Sequence, residues 1–288
     1  MKFRFLEWRI EPPESEHAGA IGVLTLNRPD RKNSIGPRVA LELDAIFDQI
    51  RHLPVQVVII TGAGETFCSG GDLKEETLPL ERPQDGLGIR GEYGELAMWM
   101  LNDHFHHLAQ RALRKLEELP QPVIASIDGA AVGAGFEMAI ACDLRIMSAR
   151  ARFCEIAVPA GFVSEWSCPR NLPKLVGLTL ANELILTGRF VDAEEALRVR
   201  LVNRVVPHES LWEETLAMAR QVARLPRLGV RYAKELIKMY NQDNRSLDRS
   251  QRELDRVLEI VRGEDAAEGI AALLERRPPR WVKKQPLP

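Results

Sequence analysis

An α/β core followed by a helical region is the architecture this sequence predicts, and three observations carry it. Two apolar, β-branched runs, Val57-Val58-Ile59-Ile60-Thr61 and Pro122-Val123-Ile124-Ala125-Ser126-Ile127, each open into a turn of small residues. Such a run reads as a buried strand ending at a glycine-rich loop. Residues 37–53 carry helical periodicity with Pro37 near the start, between residues 21–26 and 57–61, so a β-helix-β unit is expected. Beyond about residue 165 the pattern turns almost wholly helical.

Taken in order, Met1-Lys2-Phe3-Arg4-Phe5-Leu6-Glu7-Trp8-Arg9 is too charged for a signal-peptide core and reads as a first strand, with a polar turn over residues 11–19. Residues 72–94, which include Pro79, Pro83, Gly86 and Gly88, read as a long loop. An amphipathic helix is expected at 95–119, closed by Pro120-Gln121-Pro122, and a strand at 123–127 then feeds the second glycine turn. Short strands follow at 144–147 and 152–154. Helices are expected at 172–186, 193–200, 211–225, 230–240, 246–262 and 266–276, interrupted only by a strand at 202–206.

Composition narrows the function class. A length of 288 residues suits one large domain, or one with an appended helical region. Against 41 acidic residues stand 39 basic ones, for a net charge of −2, which argues against a nucleic-acid or membrane-surface role. Cys68, Cys142, Cys154 and Cys168 show neither zinc-type spacing nor a disulfide framework. A reducing, cytoplasmic setting is expected. No run reaches the ~20 apolar residues of a membrane span.

The chemistry is concentrated in the two turns. They are Phe67-Cys68-Ser69-Gly70-Gly71-Asp72 and Asp128-Gly129-Ala130-Ala131-Val132-Gly133-Ala134-Gly135-Phe136-Glu137. The second runs into a helical stretch without a breaker. Glycine turns let backbone N–H groups approach a ligand, and a helix start adds unpaired donors and partial positive charge. Two such donors converging from separate loops make an oxyanion hole, in which one donor is worth ~3 kcal/mol of transition-state stabilisation. Two competing readings fail. Met138 stands where a dinucleotide fingerprint needs its third glycine, and Gly62-Ala63-Gly64-Glu65 leads to no Gly-Lys-Ser/Thr.

With these motifs the chain resembles the crotonase superfamily, which includes enoyl-CoA hydratases and isomerases. The resemblance runs from Leu26-Asn27-Arg28-Pro29 to Glu275-Arg276-Arg277 and is most specific at Phe67 to Lys74, Gly133-Ala134-Gly135-Phe136-Glu137 and Leu186-Thr187-Gly188-Arg189. It implies a spiral of ββα units with an acyl-CoA site over residues 1–200 and a helical oligomerisation region over 201–288. It also implies assembly as a homotrimer or dimer of trimers, and no cofactor beyond coenzyme A as part of the substrate. By the same resemblance, Gly71 and Ala134 supply the N–H donors to a thioester carbonyl. Gly70, Asp72, Leu73, Gly133 and Phe162 belong to the substrate site, while Arg28, Lys74 and Arg276 reach coenzyme A phosphates. Most members have glycine where this chain has Ala134, which keeps the donor but disfavours positive φ and adds a methyl.

Glu137 matches one of the two glutamates with which hydratases of this family deliver water. Helix capping is the structural alternative for it. The other glutamate is missing: an ungapped alignment of Ala151-Arg152-Phe153 and Leu175-Val176-Gly177 puts Ala157 there. Glu155 shares a face with Ala157 only if the segment is extended. Glu165 lies at a position where some members carry a catalytic aspartate, so Glu137 and Glu165 are expected to face each other across the acyl pocket. Phe162 and Trp166 hint at a planar or cyclic acyl group, although isolated aromatics more often pack. His104, His106 and His107 fit a helix surface better than a metal site, and no metal is expected.

The reading is an enzyme that stabilises a thioester enolate, with hydration of an enoyl-CoA, or its reverse, as the expected outcome. Enoyl- or dienoyl-CoA double-bond isomerisation and acyl-CoA hydrolysis are the alternatives on the same scaffold. A catalytically silent acyl-CoA-binding protein is the alternative outside enzymes.

Overall fold

The computed structural model describes residues 3–72, 103–160, 163, 164 and 166–242, with residues 268, 272, 275, 277 and 280. All of the expected loop at 72–94 but Asp72, the first residues, 95–102, of the helix expected at 95–119 and the helix at 246–262 lie outside them, as does most of that at 266–276.

The main sheet has six strands in the order β1-β2-β3-β4-β6-β9. β1 (Leu6–Glu11) runs antiparallel to β2 (Ala20–Leu26). The successive pairs that join β2, β3 (Val55–Gly62), β4 (Val123–Ile127), β6 (Leu144–Ser148) and β9 (Arg204–Val206) are all parallel. β3 and β4 are apolar without alternation because both sheet faces are covered. Val55, Val58 and Ile60 join the larger core cluster, which includes residues of α1 (Pro37–Ile50), α2 (Asp103–Glu117) and α3 (Ala134–Ala141). Val57 and Ile59 point the other way, into a second cluster with Leu211, Ala219 and Ala223 of α7 (Leu211–Ala223). Gln56 fastens that layer by donating to the Val222 and Leu225 carbonyls at the end of α7, at 3.0 and 2.6 Å.

A second, three-stranded sheet has the order β5-β7-β8, formed by Ala130–Val132, Arg152–Cys154 and Phe190–Asp192. β5 and β8 were not expected from sequence: β5 lies inside the second glycine turn, and β8 follows Gly188, adding a second interruption to the helical region. At three residues each, strands are specified by their partners rather than by a hydrophobic period. The expected helix at 172–186 is two helices, α4 (Cys168–Val176) and α5 (Leu178–Thr187), broken at Gly177 with φ +80°. A residue with positive φ cannot continue a right-handed helix. α6 (Ala193–Arg198) and α8 (Arg227–Gln242) complete the described helices. The boundary expected near residue 200 falls within the main sheet, since β9 is its sixth strand and α7 covers one face.

Candidate active site

The two glycine turns lie side by side because their backbones pair. Phe67 N–H donates to the Asp128 carbonyl at 2.7 Å, Cys68 N–H to Ala130 at 3.1 Å, and Val132 N–H returns to Cys68 at 2.9 Å. On its other edge the first turn meets Ile35, whose N–H donates to the Gly70 carbonyl at 2.8 Å and whose carbonyl accepts from Asp72 N–H at 3.0 Å. Both contacts use one side of the extended segment, so the Gly71 N–H between them faces the opposite side. No hydrogen bond from the Gly71 N–H is made to the described residues, nor from that of Ala134, the first residue of α3. A helix leaves its first N–H groups without intrahelical partners and concentrates partial positive charge there.

Three glycines make the approach feasible. Gly70, at φ +100°, lies so close to β5 that a Cβ would sit 2.9 Å from the Val132 carbonyl oxygen and 3.8 Å from the Ala134 nitrogen. Gly133 takes the positive φ of +47° as the N-cap of α3. Ala134 is consequently not a positive-φ residue, and the backbone conflict raised by alanine at this position does not arise. Gly135 packs on Cys68, where a Cβ would lie 2.6 Å from the Cys68 Cβ and closer still to its carbonyl oxygen. The spacing of glycines thus reflects one bend and two close backbone approaches.

Glu137 lies in the first turn of α3 and is 4 % exposed. Its carboxylate caps a different helix: Oε2 accepts the backbone N–H groups of Ser167 and of Cys168, the latter at 2.9 Å. These donors belong to the N-terminus of α4, an environment that favours the charged carboxylate. Ser167 Oγ also donates to the Glu137 carbonyl at 2.7 Å, clamping α3 to α4. That anchor was not anticipated, because the helix was expected to start at 172. Pro169, which falls in the first turn of α4, is the signal that could have moved the start.

Glu155 follows β7 and is 1 % exposed. The chain turns immediately after it, with Ala160 N–H donating to the Ile156 and Ala157 carbonyls. Glu155 therefore does not share an extended face with Ala157, and instead its Oε1 receives a long 3.4 Å contact from the Ala157 N–H. Its Oε2 is buried without a hydrogen-bond partner among the described residues. Burial first, and the Glu137 charge second, push the Glu155 carboxyl up to about 8. The Cys168 thiol is pushed up by burial and by the same two carboxyls.

Arg28 and Asp72 meet at 2.9 Å, both largely buried, with Arg28 also donating to the Ser34 carbonyl and lying 4.8 Å over the Phe5 ring. This pair fixes the end of the first glycine turn against the segment after β2. Leu73, Lys74, Phe162, Glu165 and Arg276 lie outside the described residues. Trp166 packs against the main core as a partly buried residue. His107 is exposed, and among the described residues no His, Cys, Asp and Glu side chains gather as a metal site.

Residues 16–284 match the enoyl-CoA hydratase/isomerase family. A short-chain-enoyl-CoA hydratase of Clostridium acetobutylicum is 31% identical over 274 residues, covering 91% of this chain and 94% of that protein. A carnitinyl-CoA dehydratase of Citrobacter koseri is 34% identical over 269 residues, covering 91% and 95%. Among solved structures, an enoyl-CoA hydratase from Bacillus anthracis superposes with a TM-score of 0.81 at 31% identity, over 96% of this chain and 99% of that one. The paired turns, the orphan N–H donors and these matches along nearly the whole length give one answer: the chain belongs to the enoyl-CoA hydratase/isomerase family and has the crotonase fold.

Proposed function

We propose that this enzyme adds water across the double bond of an α,β-unsaturated acyl-CoA thioester, or removes it in reverse. What supports the reading is that the Gly71 and Ala134 N–H groups, on turns paired through Cys68 and Val132, donate to none of the described residues, and that Glu137 is buried on the helix Ala134 begins. The donors stabilise the oxyanion of the thioester enolate, which makes the β-carbon electrophilic and the α-carbon basic. Glu137, held on the N-terminus of α4, takes a proton from the attacking water. Arg28, Lys74 and Arg276 are the proposed contacts to coenzyme A phosphates, and Arg28 also pairs with Asp72 at the end of the first glycine turn. The proposed chemistry calls on no cofactor besides the substrate's own coenzyme A.

Double-bond isomerisation is the second reading, favoured by Ala157 at the place of a hydratase glutamate. Mass spectrometry of products from crotonyl-CoA and a panel of dienoyl- and aromatic enoyl-CoA esters separates the two. Hydration adds the mass of one water and is lost in Glu137→Gln. An unchanged mass with a moved double bond selects isomerisation.

A homotrimer or dimer of trimers is proposed on the exposed apolar side chains of Leu178, Leu186, Phe190 and Leu197 along α5, β8 and α6. No described helix is long and apolar enough to cross a membrane, and four free buried cysteines support the reading of a cytoplasmic enzyme.

A further inference from the structure

Hydration of a double bond needs a base for water and an acid for the α-carbon. Only one of the two carboxyls in this site is built to stay charged. Glu137 Oε2 accepts two backbone N–H donors at the start of α4. Glu155, by contrast, is buried with one long 3.4 Å contact on Oε1 and no partner for Oε2 among the described residues. The groups acting on it are the Glu137 carboxylate from α3, the Ala157 N–H and the Cys168 thiol from α4, with the Cys154 thiol preceding it in β7. None of these is a cation. Two neighbouring carboxyls that share no cation among the described residues hold one proton between them, and the proton resides on the member with the weaker donors.

The position of Glu155 suits delivery. The Cys154 carbonyl accepts the Gly133 N–H at 2.8 Å, and a Cβ on Gly133 would lie 3.5 Å from Ile156 Cγ2. Residues 154–156 therefore flank the turn that presents the Ala134 donor, next to where the thioester carbonyl and its α-carbon would be held.

Resting on the hydration reading above, we infer that Glu155 is the proton donor to the α-carbon, replacing from two residues upstream the carboxyl that position 157 lacks. In the step, a water O–H bond breaks, its proton goes to Glu137 and its oxygen bonds the β-carbon. The π pair moves onto the thioester oxygen, held by Gly71 and Ala134. The enolate then collapses, taking the Glu155 proton to form the α C–H bond. Passage of the proton from Glu137 to Glu155 within the pair restores both groups, so the sum is addition of one water.

The test compares Glu155→Gln, Glu155→Asp and Glu165→Gln with the parent in two assays. One is hydration of crotonyl-CoA; the other is exchange of the α-protons of butyryl-CoA in deuterated solvent, which needs the α-carbon acid/base but no water addition. A positioned acid–base group contributes ~10²–10⁴-fold. Glu155→Gln is expected to lose both activities on that scale with a melting temperature no lower than the parent's, and Glu155→Asp to recover part. Retention of both activities by Glu155→Gln overturns the assignment while leaving the hydratase reading intact, and their loss in Glu165→Gln instead moves the role there. Parent protein that exchanges but never hydrates, with exchange lost in Glu155→Gln, removes the hydratase reading and keeps the assignment.

Discussion

Gly135→Ala probes the joint that brings the two oxyanion donors together. The added Cβ would lie 2.6 Å from the Cys68 Cβ and closer to the Cys68 carbonyl oxygen. Carbon atoms settle at about 3.5 Å or more, so α3 and the first glycine turn must separate by roughly 1 Å. Neither side can yield by rotating a side chain, because the clash is with backbone on one side and a helix residue on the other. Overpacking of this kind costs about 1–3 kcal/mol, which for a chain of this size lowers the melting temperature by several degrees. The same displacement pulls the Ala134 N–H away from the Gly71 N–H. A misplacement near 1 Å costs about 10²-fold in rate, comparable to the ~3 kcal/mol of one lost oxyanion donor. The assay is steady-state turnover on the substrate identified by mass spectrometry, paired with thermal unfolding. The expected result is a fall in kcat larger than any rise in KM, since the contact strengthens in the transition state. Turnover within threefold of the parent, with the melting temperature unmoved, would show that the turns are not coupled through Gly135 and Cys68.

Arg28→Ala removes the guanidinium from a largely buried Asp72, and loss of one member of such a pair costs about 3–5 kcal/mol; chemical denaturation should show it, with turnover reduced because Asp72 adjoins Gly71. The Glu155 carboxyl, raised in the folded state to about 8, contributes stability that is fully present below its unfolded value and is lost as pH rises through the folded one. Denaturation midpoints measured from about pH 5 to pH 9 should therefore decline more in the parent than in Glu155→Gln, and parallel profiles would contradict the shift. Asp192 caps α6, its Oδ1 accepting the Glu195 N–H at 2.8 Å, so Asp192→Ala should lower stability by about 1 kcal/mol and leave kcat unchanged.

Several features needed nothing beyond local sequence. The apolar, β-branched runs at 57–61 and 123–127 read as strands, and they are β3 and β4 at the centre of the main sheet. Pro37 marked the start of α1, and the small residues of the two turns marked where two backbone segments come close together. Local conformation and hydrophobic period are properties of a few neighbouring residues, which is why they could be read in this way. Pairings between distant segments are not. β5 and β8 exist through their hydrogen-bonded neighbours, and the start of α4, which only Pro169 marks locally, is fixed by Glu137 seated on the Ser167 and Cys168 N–H groups. The clearest case is Glu155. In sequence it is an acidic residue two positions from an expected glutamate; in the fold, the turn after β7 buries it beside a carboxylate that α4 holds charged. Its proton is decided by burial and by a charge brought from another helix, and neither quantity is a property of the residues that flank it in the chain.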